Sequence, residues 1–281
     1  MTRDLQTGLL GESTDYADGY AVERLFPMPR EEGRLAVGLG ALPKWHGQDV
    51  WTGFEFSWLN NHGKPRVAVL RLTIDAGSSH IVESKSMKLY LNGYAQTQFD
   101  GPEQVRDQLG SDLGKAFGAK VRVDLIGLND PSLSVQNLSG ECLDDLDVVV
   151  TDYHRSPDLL RMNSQPGNQQ AASEVVTESL TTHLFRSLCP VTAQPDWASV
   201  SVKYTGTAID RVGLLKYLIS YRQHQAFHET TVERIYADIW ERCGLQKLRV
   251  TGRFVRRGGL DINPTRSSEA VAIGEIRLSR Q

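Results

Sequence analysis

The chain has 281 residues, with 31 Lys plus Arg against 34 Asp plus Glu, a length that allows two modest domains or one large one around a substantial core. The net charge of −3 lacks the basic excess of a protein that wraps nucleic acid, so no direct nucleic-acid partner is expected. Cys142, Cys189 and Cys243 are odd in number and form no CxxC pair, which argues against a disulfide framework or zinc ribbon, and no apolar run approaches membrane-spanning length. Small-molecule chemistry in a reducing cytoplasm is the expectation. In chain order, residues 1–48 carry Pro27, Pro29, Pro43 and several glycines and are expected to wrap the first domain irregularly. Strands are expected near Trp51–Trp58 and Arg66–Ile74, helices near Ser84–Tyr94 and Pro102–Phe117, then strands near Lys120–Leu128 and Leu146–Tyr153. The polar segment 156–173, with Pro157, Pro166 and Gly167, reads as a linker.

After the linker the order repeats. Leu180–Phe185 and Ser199–Tyr204 read as strands, Arg211–Arg222 and His228–Cys243 as helices, Lys247–Val255 and Glu275–Leu278 as strands. Lys88 and Phe99 fall on Lys216 and Phe227 at an offset of 128, and Lys120-Val121-Arg122-Val123 on Lys247-Leu248-Arg249-Val250 at 127. The shared order of two strands, two helices and two strands makes each half an antiparallel sheet with a helix pair on one face. In the last helix Val232, Ile235, Tyr236, Ile239, Trp240 and Cys243 form one apolar stripe, which makes Cys243 a core residue.

The run Cys189-Pro-Val-Thr-Ala-Gln-Pro-Asp196-Trp197 pairs a thiol with a carboxylate, and its two prolines disfavour plain helix or central strand. It reads as a shaped loop presenting a nucleophile and an acid; a lone cysteine is also a common inert core residue. Cys142 lies among acidic residues that blunt a thiol's reactivity, so Cys189 is the candidate nucleophile. In His80-Ile-Val-Glu83-Ser84-Lys85, Ser84 can cap the first helix while free N–H groups and lysine suit an anion; an ordinary helix start with solvated lysines reads the same way. Phe227-His228-Glu229 opens the last helix. There a carboxylate could accept paired N–H donors from a purine-like edge, or the pair could simply be exposed.

Four segments together resemble the NADPH-dependent 7-cyano-7-deazaguanine reductases, the nitrile reductases of queuosine biosynthesis, in their long two-module form. They are Glu83-Ser-Lys-Ser-Met-Lys-Leu-Tyr90, Cys189 to Trp197, Phe227-His-Glu229 and Arg256-Arg-Gly-Gly-Leu-Asp-Ile-Asn-Pro264. The resemblance implies an α+β tunnelling fold: two tandem modules, each a four-stranded antiparallel sheet with two helices packed on one face. Its N-terminal module would be residues 1–155, its linker 156–173 and its C-terminal module 174–281. It implies a cytoplasmic homodimer with active sites where modules meet. Cys189 matches the covalent nucleophile and Asp196 the general acid; Val82, Glu83, Ser84, His228 and Glu229 match substrate-binding positions; Ser84, Lys85, Arg257 and Gly258 match positions that hold NADPH, two of which would be consumed per 7-cyano-7-deazaguanine. No metal is expected. Two other readings are a zinc-dependent purine or pterin hydrolase, as in the GTP cyclohydrolases, and a non-catalytic deazapurine-binding module.

Overall fold

Ala68, Leu70, Leu72 and Ile74 stand two residues apart and are all buried, as are Ala198, Val200, Val202 and Tyr204. That period puts each set on one face of a strand, where a helix pair can cover it. In the computed structural model, which describes residues 19–39, 45–163, 174–270 and 273–281, this happens twice. The first half supplies β1 (Pro27–Pro29), α1 (Arg30–Ala36), β2 (His46–Asn60), β3 (Pro65–Asp75), β4 (His80–Val82), α2 (Ser84–Tyr94), β5 (Gln98–Phe99), α3 (Pro102–Phe117) and β6 (Val121–Ile126). From the rest come β7 (Glu141–Cys142), β8 (Val175–Leu188), β9 (Pro195–Thr207), α4 (Arg211–Ile219), α5 (His228–Cys243), β10 (Lys247–Phe254) and β11 (Leu260–Ser267). The class is mixed α+β, with long antiparallel strands.

The two halves share one sheet. Its order is β6-β3-β2-β11-β10-β9-β8-β7, so the seam lies where β11 pairs antiparallel with β2, from Leu260↔Gly53 to Ser267↔His46. Two apolar cores sit on the helix side. One packs Leu70, Leu72 and Ile74 under Met87, Tyr90, Leu109 and Phe117; the other packs Val200, Val202 and Tyr204 under Leu214, Tyr217, Ile235 and Ile239. After β6 the chain crosses to the second half, where Leu143 and Leu160 are buried in that second core and Leu146, Val148 and Leu159 pack against it.

Buried polar groups repeat between the halves. Tyr90 donates to Asp112 at 2.8 Å and bonds Tyr94 at 2.8 Å; Tyr217 donates to Asp238 at 2.7 Å and bonds Tyr221 at 2.8 Å. The caps match as well: Glu83 accepts the N–H groups of Lys85 and Ser86, and Asp210 those of Val212 and Gly213. The tyrosines and the caps set the helix register at 127, one residue away from the Lys88–Lys216 match at 128, while Asp112 and Asp238 stand at 126. The cap on α2 is Glu83, where the sequence suggested Ser84.

Several expected elements differ. Residues 1–48 include β1, α1 and the start of β2, although residues 1–18 and 40–44 lie outside the described set. Leu146–Tyr153 is not a strand: Leu146 and Val148 are spent on the second core, and the segment pairs with no strand among the described residues. Glu275–Leu278 makes one isolated bridge, Val135↔Arg277. The strand of that half is instead β11, which its Asn263-Pro264 pair disguises, since proline cannot donate to a ladder. Backbone pairing with β10 covers only Thr265–Ser267; beyond it the Asn263 side chain accepts the Phe254 N–H at 3.1 Å. The linker contains a short 3-10 turn at Pro157–Leu159, and its residues 164–173 lie outside the described set.

Candidate active site

The β8–β9 hairpin places the thiol and the acid. Ser187 pairs with Asp196 and Leu188 with Pro195, and the Cys189 N–H continues the ladder by donating to the Gln194 carbonyl at 2.9 Å. Cys189 is two residues beyond Ser187, so pleat parity brings it to the face of Asp196 as a diagonal neighbour. The loop between them closes tightly: Ala193 donates to the Cys189 carbonyl at 3.0 Å and takes φ 55, the left-handed region. Asp196 thus stands on β9 itself, held by strand pairing, and only 189–194 is loop. Cys189 is 9% exposed and Asp196 5%.

Two more groups converge on Asp196. His228 Nε2 lies 3.2 Å and Arg257 3.1 Å from the same oxygen, Oδ1. His228 opens α5 and stacks flat on Phe254, with centroids 3.8 Å apart. Its buried Nδ1 has no hydrogen-bond partner among the described residues. Arg257 also donates to the Gln194 side chain at 2.9 Å, which ties it to the cysteine loop. It precedes the turn Gly258-Gly259, whose φ values of 61 and 77 favour glycine at both positions.

The first-half motif reaches the same place. β1 pairs with β4 (Pro27↔Val82, Pro29↔His80), and Glu83 donates its N–H to the Phe26 carbonyl at 3.0 Å, so the residues before α1 brace Val82 and Glu83. From α2, Lys88 lies against the second half: a Cβ added at Gly258 would stand 3.3 Å from its Cδ and 3.7 Å from its Nζ. Burial lowers the Lys88 pKa and the Arg257 charge adds to this, against the opposing pull of Glu83, Asp196 and Cys189. A cavity of about 420 Å³ alongside is lined by Ile81, Pro190 and Phe227, the chain neighbours of Val82, Cys189 and His228.

The two candidate carboxylates differ. Glu83 spends both oxygens on its own helix, at 2.7 Å to the N–H groups of Lys85 and Ser86. Glu229 is 3% exposed and, among the described residues, has no ion pair. Burial pushes its pKa up to about 7, Asp49 adding to the shift while Arg30 and His228 oppose it. Behind it lies a buried quartet that the sequence reading missed. Arg266 bridges Asp49 at 2.7 Å and Glu233 at 2.8 Å, and Arg30 bridges Asp49 at 2.6 Å. Arg34 of α1 holds Glu233 at 2.8 Å. The signal was a charge at an inward position in each of two strands, Asp49 in β2 and Arg266 in β11.

The other cysteines stand apart. Cys243 lies in the second core, where burial pushes its thiol up to about 11. Cys142 is exposed on β7, its ligand atom within 4.8 Å of those of Asp144 and His183. His224 and His228 are four residues apart, a metal-ligand spacing on a continuous helix, but α5 begins only at His228. Burial holds the His224 pKa down at about 4, and its ring lies edge-on to Tyr221.

Lys88 and Arg257 beside a bare glycine turn have the donor chemistry a dinucleotide's phosphates need. Residues 16–125 match the family described as nitrile reductase, 7-cyano-7-deazaguanine-reductase N-term, and residues 195–272 the family described as QueF-like protein. Among curated relatives, the NADPH-dependent 7-cyano-7-deazaguanine reductase of Chromohalobacter salexigens is 46% identical over 286 residues, covering 99% of this chain and 98% of the relative. That of Chromobacterium violaceum is 45% identical over 276 residues, covering 97% and 96%. The solved structure of the archaeosine synthase QueF-Like in the apo form covers 36% of this chain and 99% of its own, at 20% identity and a TM-score of 0.31, too slight a likeness to build on.

Proposed function

Because the chain belongs to the family of NADPH-dependent 7-cyano-7-deazaguanine reductases, we propose that it reduces the nitrile of 7-cyano-7-deazaguanine to the aminomethyl group, through a covalent adduct on Cys189. The observation that carries this is the convergence of Cys189 and Asp196 on one face of the β8–β9 hairpin, with His228 and Arg257 both on Asp196.

A nitrile carbon accepts hydride poorly. The Cys189 sulfur adds to it, forming the C–S bond of a thioimide, while Asp196 delivers a proton to the nitrogen. Both contacts to Asp196 fall on Oδ1, which leaves Oδ2 as the oxygen that faces the nitrile nitrogen. Bound NADPH supplies hydride, once to the thioimide carbon and, after replacement, once to the imine carbon. After the first transfer the C–S bond breaks, the electron pair returns to Cys189 and an imine remains; the second transfer, with one more proton, gives the amine. Glu229 accepts the paired N–H donors of the deazaguanine, with Glu83 and His228 completing the recognition beside Val82 and Ser84. Ser84, Lys85, Arg257 and Gly258 hold the cofactor.

The same reading includes a tunnelling fold of two modules, 1–155 and 174–281 joined by 156–173, with the end of the first laid over the core of the second. The repeated tyrosine–aspartate triads and helix caps support it. A cytoplasmic homodimer belongs to it as well.

Mass spectrometry of protein mixed with the nitrile, without cofactor, is expected to show an adduct that Cys189→Ala abolishes. Asp196→Asn is expected to lower turnover by about 10²- to 10⁴-fold, as for a lost general acid. Consumption of one NADPH per amine, where two are expected, would overturn the two-step scheme.

A further inference from the structure

Two arginines play no part in the site above. The Arg256 guanidinium lies 4.5 Å from the ring centroid of Phe54, and that of Arg277 5.2 Å from the same centroid. Both line a cleft of about 440 Å³ walled by Val69, Leu128 and Leu133. Among the described residues no carboxylate reaches ion-pair distance of either. Glu55 and Asp130 also line the cleft, but Asp130 accepts the Ser132 N–H at 2.8 Å within its own turn, and the Glu55 stem lies against Gly259.

The cleft and the catalytic cluster are two sides of one turn. Arg257 points to Asp196 and its neighbour Arg256 to Phe54; the bare Gly258-Gly259 turn follows, tied to β2 by the Phe54 N–H on the Gly259 carbonyl at 2.9 Å. A dinucleotide with its reactive ring at Cys189 can lay its other end across these glycines. Two planar cations, an aromatic ring and apolar walls suit a purine nucleotide bearing a phosphomonoester, which carries nearly two charges at neutral pH.

We propose that Arg256 and Arg277 hold the 2′-phosphate of NADPH, the group that distinguishes it from NADH, with the adenosine against Phe54. This rests on the reductase reading. Steady-state rates with NADPH and with NADH, for wild type, Arg256→Ala and Arg277→Ala, are the direct test. The ratio of kcat/KM for NADPH over NADH is expected to fall about 10- to 100-fold in each variant, the loss appearing in KM for NADPH. Cofactor-free adduct formation reports that each variant is folded. Equal losses with both cofactors, or an unchanged ratio, would overturn the assignment. Calorimetry with adenosine 2′-phosphate separates this from failure of the reductase reading itself. Binding to wild type, weakened in both variants and weaker for adenosine 5′-phosphate, supports the cleft even if no turnover is seen; no preference between the two nucleotides refutes it.

Discussion

At residue scale, Glu229 is the group whose environment is most decisive. Its folded pKa of about 7 lies above the ordinary 4.5, so the folded state keeps a proton that the unfolded chain gives up. The sign follows: stability falls as pH rises from about 4.5 to 7, then levels. Glu229→Gln removes that loss and is expected to stabilise the free protein more at pH 8 than at pH 5, by up to about 3 kcal/mol. Thermal melts at the two pH values check this, and equal shifts at both would show that Glu229 titrates ordinarily. The same variant is expected to raise KM for the nitrile roughly 10- to 100-fold, because an amide cannot accept two adjacent donors. Cys189, Asp196, His228 and Glu229 were all readable in the chain, because reactive side chains in short stiff motifs are local features. Arg30, Asp49, Glu233 and Arg266 were not, since α1 and β2 meet α5 and β11 only in the fold, with Asp49 and Arg266 217 positions apart.

Elements were legible where periodicity was strong. α2, α3 and α5 fall where their apolar stripes and flanking breakers put them, whereas β11 was hidden by Pro264 and α1 by the prolines before it and Gly33 within it. The duplication could have been read more securely from chemistry than from identity. Tyr-x₃-Tyr with an aspartate 22 or 21 positions after the first tyrosine, in both halves, marks a buried hydrogen-bonded triad that few other residue sets can form. The two triads differ in load: Asp238 also pairs with Arg155 at 2.7 Å and Arg234 at 2.5 Å, while Asp112 serves Tyr20, Tyr90 and Gln108. Asp238→Ala strands partly buried cations and is expected to cost about 3–5 kcal/mol, Asp112→Ala about 1–3. Urea unfolding of the two variants checks the ranking; the reverse order would mean that the arginines find water at little cost.

At the scale of the whole molecule, the β2–β11 seam and the charges beneath it join the two cores. Arg266 is fully buried between Asp49 and Glu233, so Arg266→Met leaves Asp49 to Arg30 and Glu233 to Arg34 and the more distant Arg30, and is expected to destabilise by about 3 kcal/mol. Both halves feel that loss through one continuous sheet, and wild-type unfolding is expected to be a single transition by both fluorescence and circular dichroism. Two separated transitions would show that the halves hold independently. A mass of about two chains by light scattering checks the proposed dimer.

The seam also has a consequence for how the polypeptide is made. Asp49 and Arg266 are 217 positions apart, so on the ribosome β2 must wait with one edge bare until β11 emerges. An unpaired strand held open for that long invites pairing with other chains. Truncation just before Leu260 should therefore yield not a lesser enzyme but an insoluble one, and slow or interrupted translation between β2 and β11 is where production of this protein is most exposed to failure.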